Sequence, residues 1–322
     1  LKKDIFDCNI LIIDSRFCGK LKNKNDFINF LIKNRFKNIK LILVDTADNS
    51  GQIKTEFLPH VDRYWKGKVL KRKEEYMSSH YGGRLFTDFY NKKFKVLDRS
   101  ENYSDPIKNK SVLKKIKVCW NMGLCDHGKF SHIKQKLYSI FKFNFFINNT
   151  KSFFLPDKKR KLNISCRIGT KYERETVSFQ RIKISKLLEK YITTTKLSRF
   201  KYLNELSNSK YSISPFGWGE LCPRDFEIFL CGGILIKPDM SFFDTWPNWY
   251  ISKKDVHNTD FHTYLSFKWD LSDLEKIFQS VIKKYAKFKH IAKQGQKTYM
   301  MYTKGESSKI IFAKRFLELI KN

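Results

Sequence analysis

Short, near-continuous apolar runs alternate with helical periodicity along this chain. Residues 8–13 (CNILII) end at Asp14 and precede a helical stretch over about 26–36; residues 39–44 (IKLILV) then stop at Asp45. Runs of this kind are the signature of parallel strands covered on both faces, so the N-terminal half is expected to be α/β. A third run, 116–120, leads through Asn121, Met122 and Gly123 to a helix near 132–143.

The pattern breaks over 144–161, where Asn, Lys and Ser give way to a Pro-Asp step and a basic cluster, Lys158, Lys159, Arg160 and Lys161. This stretch reads as a linker, giving an N-terminal domain over 1–150 and a C-terminal domain over 151–322. A second α/β pattern follows: a strand at 162–167, a turn at Gly169, and a helix over 178–191. In that helix Ile182, Leu187, Leu188 and Ile192 fall on one face, with Arg181, Lys183, Lys186 and Lys190 on a solvated basic one. A helix at 202–206, a strand at 211–214, a Gly-rich loop, a helix at 224–230 and a strand at 234–237 complete a second Rossmann-like unit. Helices over about 272–288 and 308–320 close the chain.

With 322 residues and 41% apolar content, the chain can bury a sizeable core, and wholesale disorder is excluded. Lys and Arg outnumber Asp and Glu by 64 to 32, a net charge of +32, which points to an anionic partner. The accompanying excess of Lys, Asn, Ile and Phe is what an AT-rich genome produces, so charge is a secondary clue. Seven scattered cysteines without a CxxC pair indicate neither a disulfide framework nor a zinc site, and a reducing cytoplasm fits them. No apolar run approaches a membrane span and no signal-peptide pattern opens the chain, so a peripheral position at the inner membrane face is the closest membrane association expected.

Residues 211–239 (YSISPFGWGELCPRDFEIFLCGGILIKPD) stand apart. Between Lys201 and Tyr250 there are four basic and six acidic residues, an acidic island in a basic chain. A strand ends at Pro215, and Gly217 and Gly219 flank Trp218 in a loop that opens onto a helix. Glycines admit close backbone approach to a ligand, and a helix N-terminus favours phosphate oxygens. Neither GxxxxGK[ST] nor a complete GxGxxG is present. Glu220, Arg224 and Glu227, four and three residues apart, would share one helical face. A guanidinium there can clamp a diphosphate and a carboxylate can accept ribose hydroxyls.

This segment resembles the donor-binding region of GT-B glycosyltransferases, particularly the exostosin-like and group-1 families, in Ser214, Pro215, Gly217, Gly219, Arg224, Glu227, Gly232 and Gly233. The group-1 pattern places two Glu eight apart; Glu220 and Glu227 are seven apart, and Glu227 aligns better with the ribose carboxylate. The resemblance implies two Rossmann-like domains facing a central cleft, the first for the acceptor and the second for a nucleotide sugar. Transfer would go to a glycan or lipid-linked saccharide, in polysaccharide or glycoconjugate assembly.

No two Asp residues form a DxD, so neither a metal nor another cofactor is expected, and Arg224, Arg167 and Lys237 are candidates to neutralise the leaving diphosphate. Arg167 and Gly169 follow an apolar strand, at the end where ligands sit in open parallel sheets. For an inverting reaction Asp48 is the first candidate base, with Asp45 and His127 behind it. Tyr64, Trp65, Lys66 and Arg84, in a block dense in aromatics and cations, would suit a stacked acidic or phosphorylated acceptor. The competing reading is a nucleic-acid-binding protein. The positive charge is spread over both halves, however, and no common nucleic-acid motif occurs, so nucleic acid is not the expected partner. A non-catalytic nucleotide-sugar binder is a third possibility.

Overall fold

The computed structural model describes residues 7–20, 24–35, 39–143, 153–254 and 260–321. In chain order its elements are β1 (Ile10–Asp14), α1 (Lys24–Arg35), β2 (Lys40–Asp45), β3 (Arg63–Lys66), β4 (Lys68–Leu70), α2 (Leu85–Phe94), β5 (Ile116–Val118) and α3 (Ser131–Phe141). They continue with β6 (Leu162–Ser165), α4 (Glu175–Leu188), α5 (Arg199–Asn208), β7 (Ser209–Ile213), α6 (Pro223–Cys231), β8 (Ile234–Pro238) and β9 (Phe243–Thr245). The short strands β10 (Ser252–Lys254), β11 (Asp260–His262) and β12 (Leu265–Phe267) precede α7 (Leu274–Lys283), α8 (Tyr285–Thr303) and α9 (Gly305–Lys321). The chain is thus mixed α/β with parallel sheets and closing C-terminal helices.

Two compact units emerge. One comprises residues up to Phe89 together with Glu101–Asn121 and Phe242–Trp246; the other comprises Tyr90–Ser100, Met122–Ser241 and the chain from Pro247 onward. This division does not follow the 150/151 boundary expected from composition. Pairing explains part of the interleaving: β9 lies antiparallel to β4, with Lys68 opposite Thr245 and Leu70 opposite Phe243, so a segment distant in sequence closes the first unit. Part of the expected linker, 144–152, lies outside the described residues.

The first unit carries a parallel sheet in the order β1-β2-β3-β5. Leu41, Ile42, Leu43, Tyr64, Trp65 and Ile116 are fully buried in it. Strand β3 was hidden in the sequence because Arg63 and Lys66 bracket only two apolar residues.

The second unit carries a four-stranded sheet in the order β12-β8-β7-β6, every neighbouring pair parallel. Alternation along β8 assigns its two faces. Ile234 and Ile236 belong to a core with Tyr211, Ile213, Ile184 and Leu188 of α4, and Leu274, Phe278 and Val281 of α7. Lys237, of opposite parity, reaches α6 instead, through its ion pair with Asp225.

Arg160 is a structural residue of this unit rather than part of a solvated basic linker. Its guanidinium is buried and donates to the carbonyls of Ser207 and Ser209 at the end of α5, and of Cys231 and Gly232 at the end of α6. Two helix C-termini, each carrying partial negative charge and unbonded carbonyls, thus converge on one cation. Gly232 adopts φ +66°, and a Cβ there would stand 2.3 Å from the carbonyl oxygen of Phe154, so only glycine fits.

Candidate functional site

The loop from Ser214 to Cys222 joins the carboxyl end of β7 to α6, the position where parallel sheets hold ligands. Its course is fixed by the start of α6. Pro223 occupies the first helical position, where a missing N–H costs nothing, and the Asp225 carboxylate accepts from the backbone N–H of Cys222 at 3.1 Å. Asp225 also accepts from Ser214 Oγ at 2.5 Å and Tyr250 OH at 2.6 Å, and lies 3.0 Å from Lys237 Nζ. All its capacity is used inside the protein. The helix begins too late to include Glu220, which is buried in the loop, so Glu220, Arg224 and Glu227 do not form the single helical face expected.

The loop turns tightly, with the Gly217 N–H donating to the Gly219 carbonyl at 3.1 Å. A Cβ on Gly217 would stand 3.3 Å from Nη2 of Arg181 and 3.5 Å from Sγ of Cys222, so the glycine lets a guanidinium approach the main chain. Arg181 donates from Nε to the Phe216 carbonyl at 2.6 Å and from Nη1 to the Gly169 carbonyl at 3.0 Å. It therefore ties together the loops after β6 and β7. These bonds go to neutral carbonyls, so they leave the positive charge uncancelled.

Burial pulls the Arg181 guanidinium below its ordinary value, and the neighbouring Arg224 charge pulls the same way. Nη1 of Arg224 is buried and has no hydrogen-bond partner. Two guanidinium groups within electrostatic reach of one another, beside a glycine turn, form a site that favours an anion. The aromatic wall belongs to the same site: the Tyr172 ring lies 4.9 Å from the Arg181 guanidinium and packs edge-on against exposed Trp218 at 5.4 Å. Cys166, at the end of β6, is buried here, and burial pushes its thiol up to about 12.

Several expected donor residues are otherwise engaged. Lys237 is fully buried and paired with Asp225, so it does not face a diphosphate; a lysine on a central strand needs a counter-charge, and α6 provides it. Arg167 is held by Glu205, with Nε at 2.9 Å and Nη2 at 2.7 Å from its carboxylate. Glu227 is buried and accepts from Arg199 Nη1 at 2.7 Å, while Arg199 Nη2 donates to the carbonyls of His127 and Gly128. Gly169 and Pro215 contribute carbonyls to Arg181 and Cys222 respectively. Gly219 and buried Glu220 lie in the loop, and Arg224 stands in the first turn of α6.

Arg181 is the residue that sequence reasoning missed, having been placed on a solvated face. The face that packs is Val177, Gln180, Arg181, Ile184 and Leu188. The signal was present in the spacing, since Arg181 stands four after Val177 and three before Ile184.

In the first unit the acceptor candidates are interior. Tyr64, Trp65 and Lys66 are fully buried and Arg84 nearly so, so none offers a surface on which a sugar could stack. Lys66 forms an ion pair with Asp45, directly opposite it across β2 and β3. Asp45 also accepts from Tyr64 OH at 2.8 Å and the Ala47 N–H at 3.0 Å. Burial alone would raise the Asp45 carboxyl, but the Lys66 charge and the hydrogen bonds from Lys66, the Ala47 N–H and Tyr64 together outweigh it and hold the group below its ordinary value. Trp65 packs against Trp120, and Arg84 donates to the Gly82 carbonyl. Asp48, in the loop after β2, is exposed. His127 belongs to the second unit, where its ring stacks on Phe226 and its Nε2 lies 2.8 Å from the Met122 carbonyl.

No protein-family profile and no curated protein matches the chain. Among solved structures, it is similar to an α-glucosyltransferase in complex with UDP-glucose and DNA containing an abasic site. The identity is 13%, 98% of this chain and 81% of that one are covered, and the TM-score is 0.37. It is also similar to an α-glucosyltransferase in complex with UDP and a 13-mer DNA containing a HMU base, at 12% identity, 99% and 81% coverage and TM-score 0.38. Similarity this low leaves the reading of the site to its own residues.

Proposed function

We propose that the chain is a glycosyltransferase of GT-B type that transfers a sugar from a nucleotide-sugar donor. The observation that carries this reading is the buried Nη1 of Arg224, which has no partner, within electrostatic reach of the Arg181 guanidinium at the Gly217 turn. In the reaction, the bond between the sugar C1 and the diphosphate oxygen breaks, the diphosphate leaves with the electron pair, and C1 bonds to an acceptor hydroxyl oxygen. Arg224 and Arg181 would stabilise the departing charge with no metal ion. The hydroxyl proton would pass to a base, and exposed Asp48 is the candidate in the first unit.

The donor candidates proposed are Arg224, Arg181, Gly217, Gly219 and Glu220. Lys237, Arg167 and Glu227 take supporting places through their ion pairs. A glycan or lipid-linked saccharide is the acceptor proposed from the sequence. The net charge of +32 suits a polyanionic acceptor as well, and the α-glucosyltransferases described above are bound to DNA, so DNA belongs in the assay.

The test is thermal shift with UDP, GDP and CMP sugars. At least one should stabilise the protein, and the effect should disappear in Arg224→Ala. A response to DNA alone, steeply salt-dependent and with no nucleotide sugar effective, would replace the transferase with the nucleic-acid-binding reading. Transfer and hydrolysis assays with the stabilising sugar then separate an enzyme from a binder.

A further inference from the structure

The opposite end of α6 carries a second feature that the donor site does not use. A cavity of about 350 Å³ opens in the second unit, within the range of about 300–1,000 Å³ typical of ligand pockets. From Arg224 to Cys231 the helix advances about 10 Å at 1.5 Å per residue, so this is a separate place. The cavity's buried lining comes from Leu203 and Ser207 of α5 and Leu230 and Cys231 of α6, apolar but for the one hydroxyl. Its rim carries Phe130, Phe154 and Phe200 with Lys129 and Lys158, and with Lys134, whose charge is paired with Asp126 of the same lining.

The rim is unusual for a surface. Phe130 and Phe200 are 50% and 52% exposed, and their rings meet edge-on at 6.2 Å. The Lys129 ammonium stands 4.6 Å from the Phe200 ring centre, and Lys158 stands 5.5 Å from that of Phe154. Beyond the rim, Ile133 of α3 and Leu155 are exposed at 55% and 67%. Over its eleven residues α3 buries only Ser131, so most of its surface remains exposed.

We infer that this cavity and its rim seat an anionic lipid at a membrane surface, its apolar chain against Phe130, Phe200 and Leu230 and its phosphate against Lys129 and Lys158. Charge complementarity selects the occupant: the cations at the rim are lysines lying beside apolar side chains, the composition that holds amphipathic helices at anionic bilayers. Single-stranded nucleic acid would use flat rings for base stacking. Exposed Ile133 and Leu155 give no stacking but do partition into acyl chains. The inference is independent of the transferase reading, since the donor residues lie at the other end of α6.

Co-sedimentation of the full chain with vesicles tests it, comparing phosphatidylcholine alone with phosphatidylcholine containing phosphatidylglycerol, at low and moderate salt. The chain should partition onto the phosphatidylglycerol vesicles only. The pair Phe130→Ser with Phe200→Ser, and separately Lys129→Glu with Lys158→Glu, should each lower partition at least tenfold. Both pairs alter exposed side chains and should keep the parent melting temperature and the nucleotide-sugar shift. Absence of binding to phosphatidylglycerol vesicles overturns the proposal. So does binding that the Phe pair leaves unchanged, which would mean diffuse charge alone. Loss of single-stranded oligonucleotide binding in these variants, with vesicle partition intact, assigns the rim to nucleic acid instead.

Discussion

Lys237 Nζ lies 3.0 Å from an oxygen of Asp225, and both side chains are fully buried. The pair links the central strand β8 to the first turn of α6, the helix that follows the Gly217 loop. Removing one partner strands the other charge in the interior. Lys237→Met is expected to cost about 3–5 kcal/mol, the usual penalty for breaking a buried pair. Urea denaturation checks this; a loss below about 1 kcal/mol would show that the carboxylate finds another partner.

Arg224 should behave differently, because its bonding capacity is not spent within the protein. Arg224→Ala is expected to remove nucleotide-sugar stabilisation, weakening affinity at least tenfold, or about 1.4 kcal/mol. The melting temperature without ligand should change little. Isothermal titration with the donor identified by thermal shift separates this from unfolding. Equal affinity in parent and variant would move the anion site elsewhere.

Arg160 neutralises the ends of two helices at once. Arg160→Met is expected to destabilise by about 3 kcal/mol or more, since it leaves several buried carbonyls without donors. Arg160→Lys should recover only part of this, because an ammonium cannot span both helix ends as a planar fork does. Chemical denaturation of the two variants in parallel gives the comparison.

Acid sensitivity follows from Asp45. Its folded value lies below its ordinary one, because the Lys66 charge and the hydrogen bonds from Lys66, Ala47 and Tyr64 together outweigh burial. A depressed carboxyl contributes stability that is present above its unfolded value of about 3.9 and is lost as pH falls through the lower folded value. Urea stability measured from pH 7 to pH 3 should therefore drop at the acid end. In Asp45→Asn the drop should be shallower and the stability at neutral pH lower. Parallel curves for the two proteins would mean that Asp45 titrates alike in both states.

Thiol reactivity should report the same interior. Cys166 and Cys231 are buried, and burial pushes both thiols up to about 12, whereas Cys125 is exposed. Alkylation at pH 8 followed by peptide mass mapping should label Cys125 early, and Cys166 and Cys231 only on unfolding. Rapid native labelling of Cys166 would show that the loops after β6 and β7 open readily.

Much of the architecture was legible in local pattern. The apolar runs before Asp14, at 39–44 and at 234–237 became β1, β2 and β8 within a residue or two; β2 and β8 are buried on both faces as such runs imply, whereas β1 is an edge strand that leaves Ile12 exposed. The turn at Gly217 and the start of α6 near Arg224 were legible for a similar reason: glycine, Pro223 and Asp225 act on the main chain beside them. The fate of the charged residues was not legible. Lys66, Arg160, Arg181 and Lys237 read as surface or ligand-binding cations, yet each is buried against an oxygen from another element. Hydrophobic period and turn chemistry are written within a few residues, whereas the partner that makes a buried charge tolerable comes from a separate element, 12 residues away for Lys237 and 72 for Arg160. Only the folded chain decides which cations remain available for a ligand.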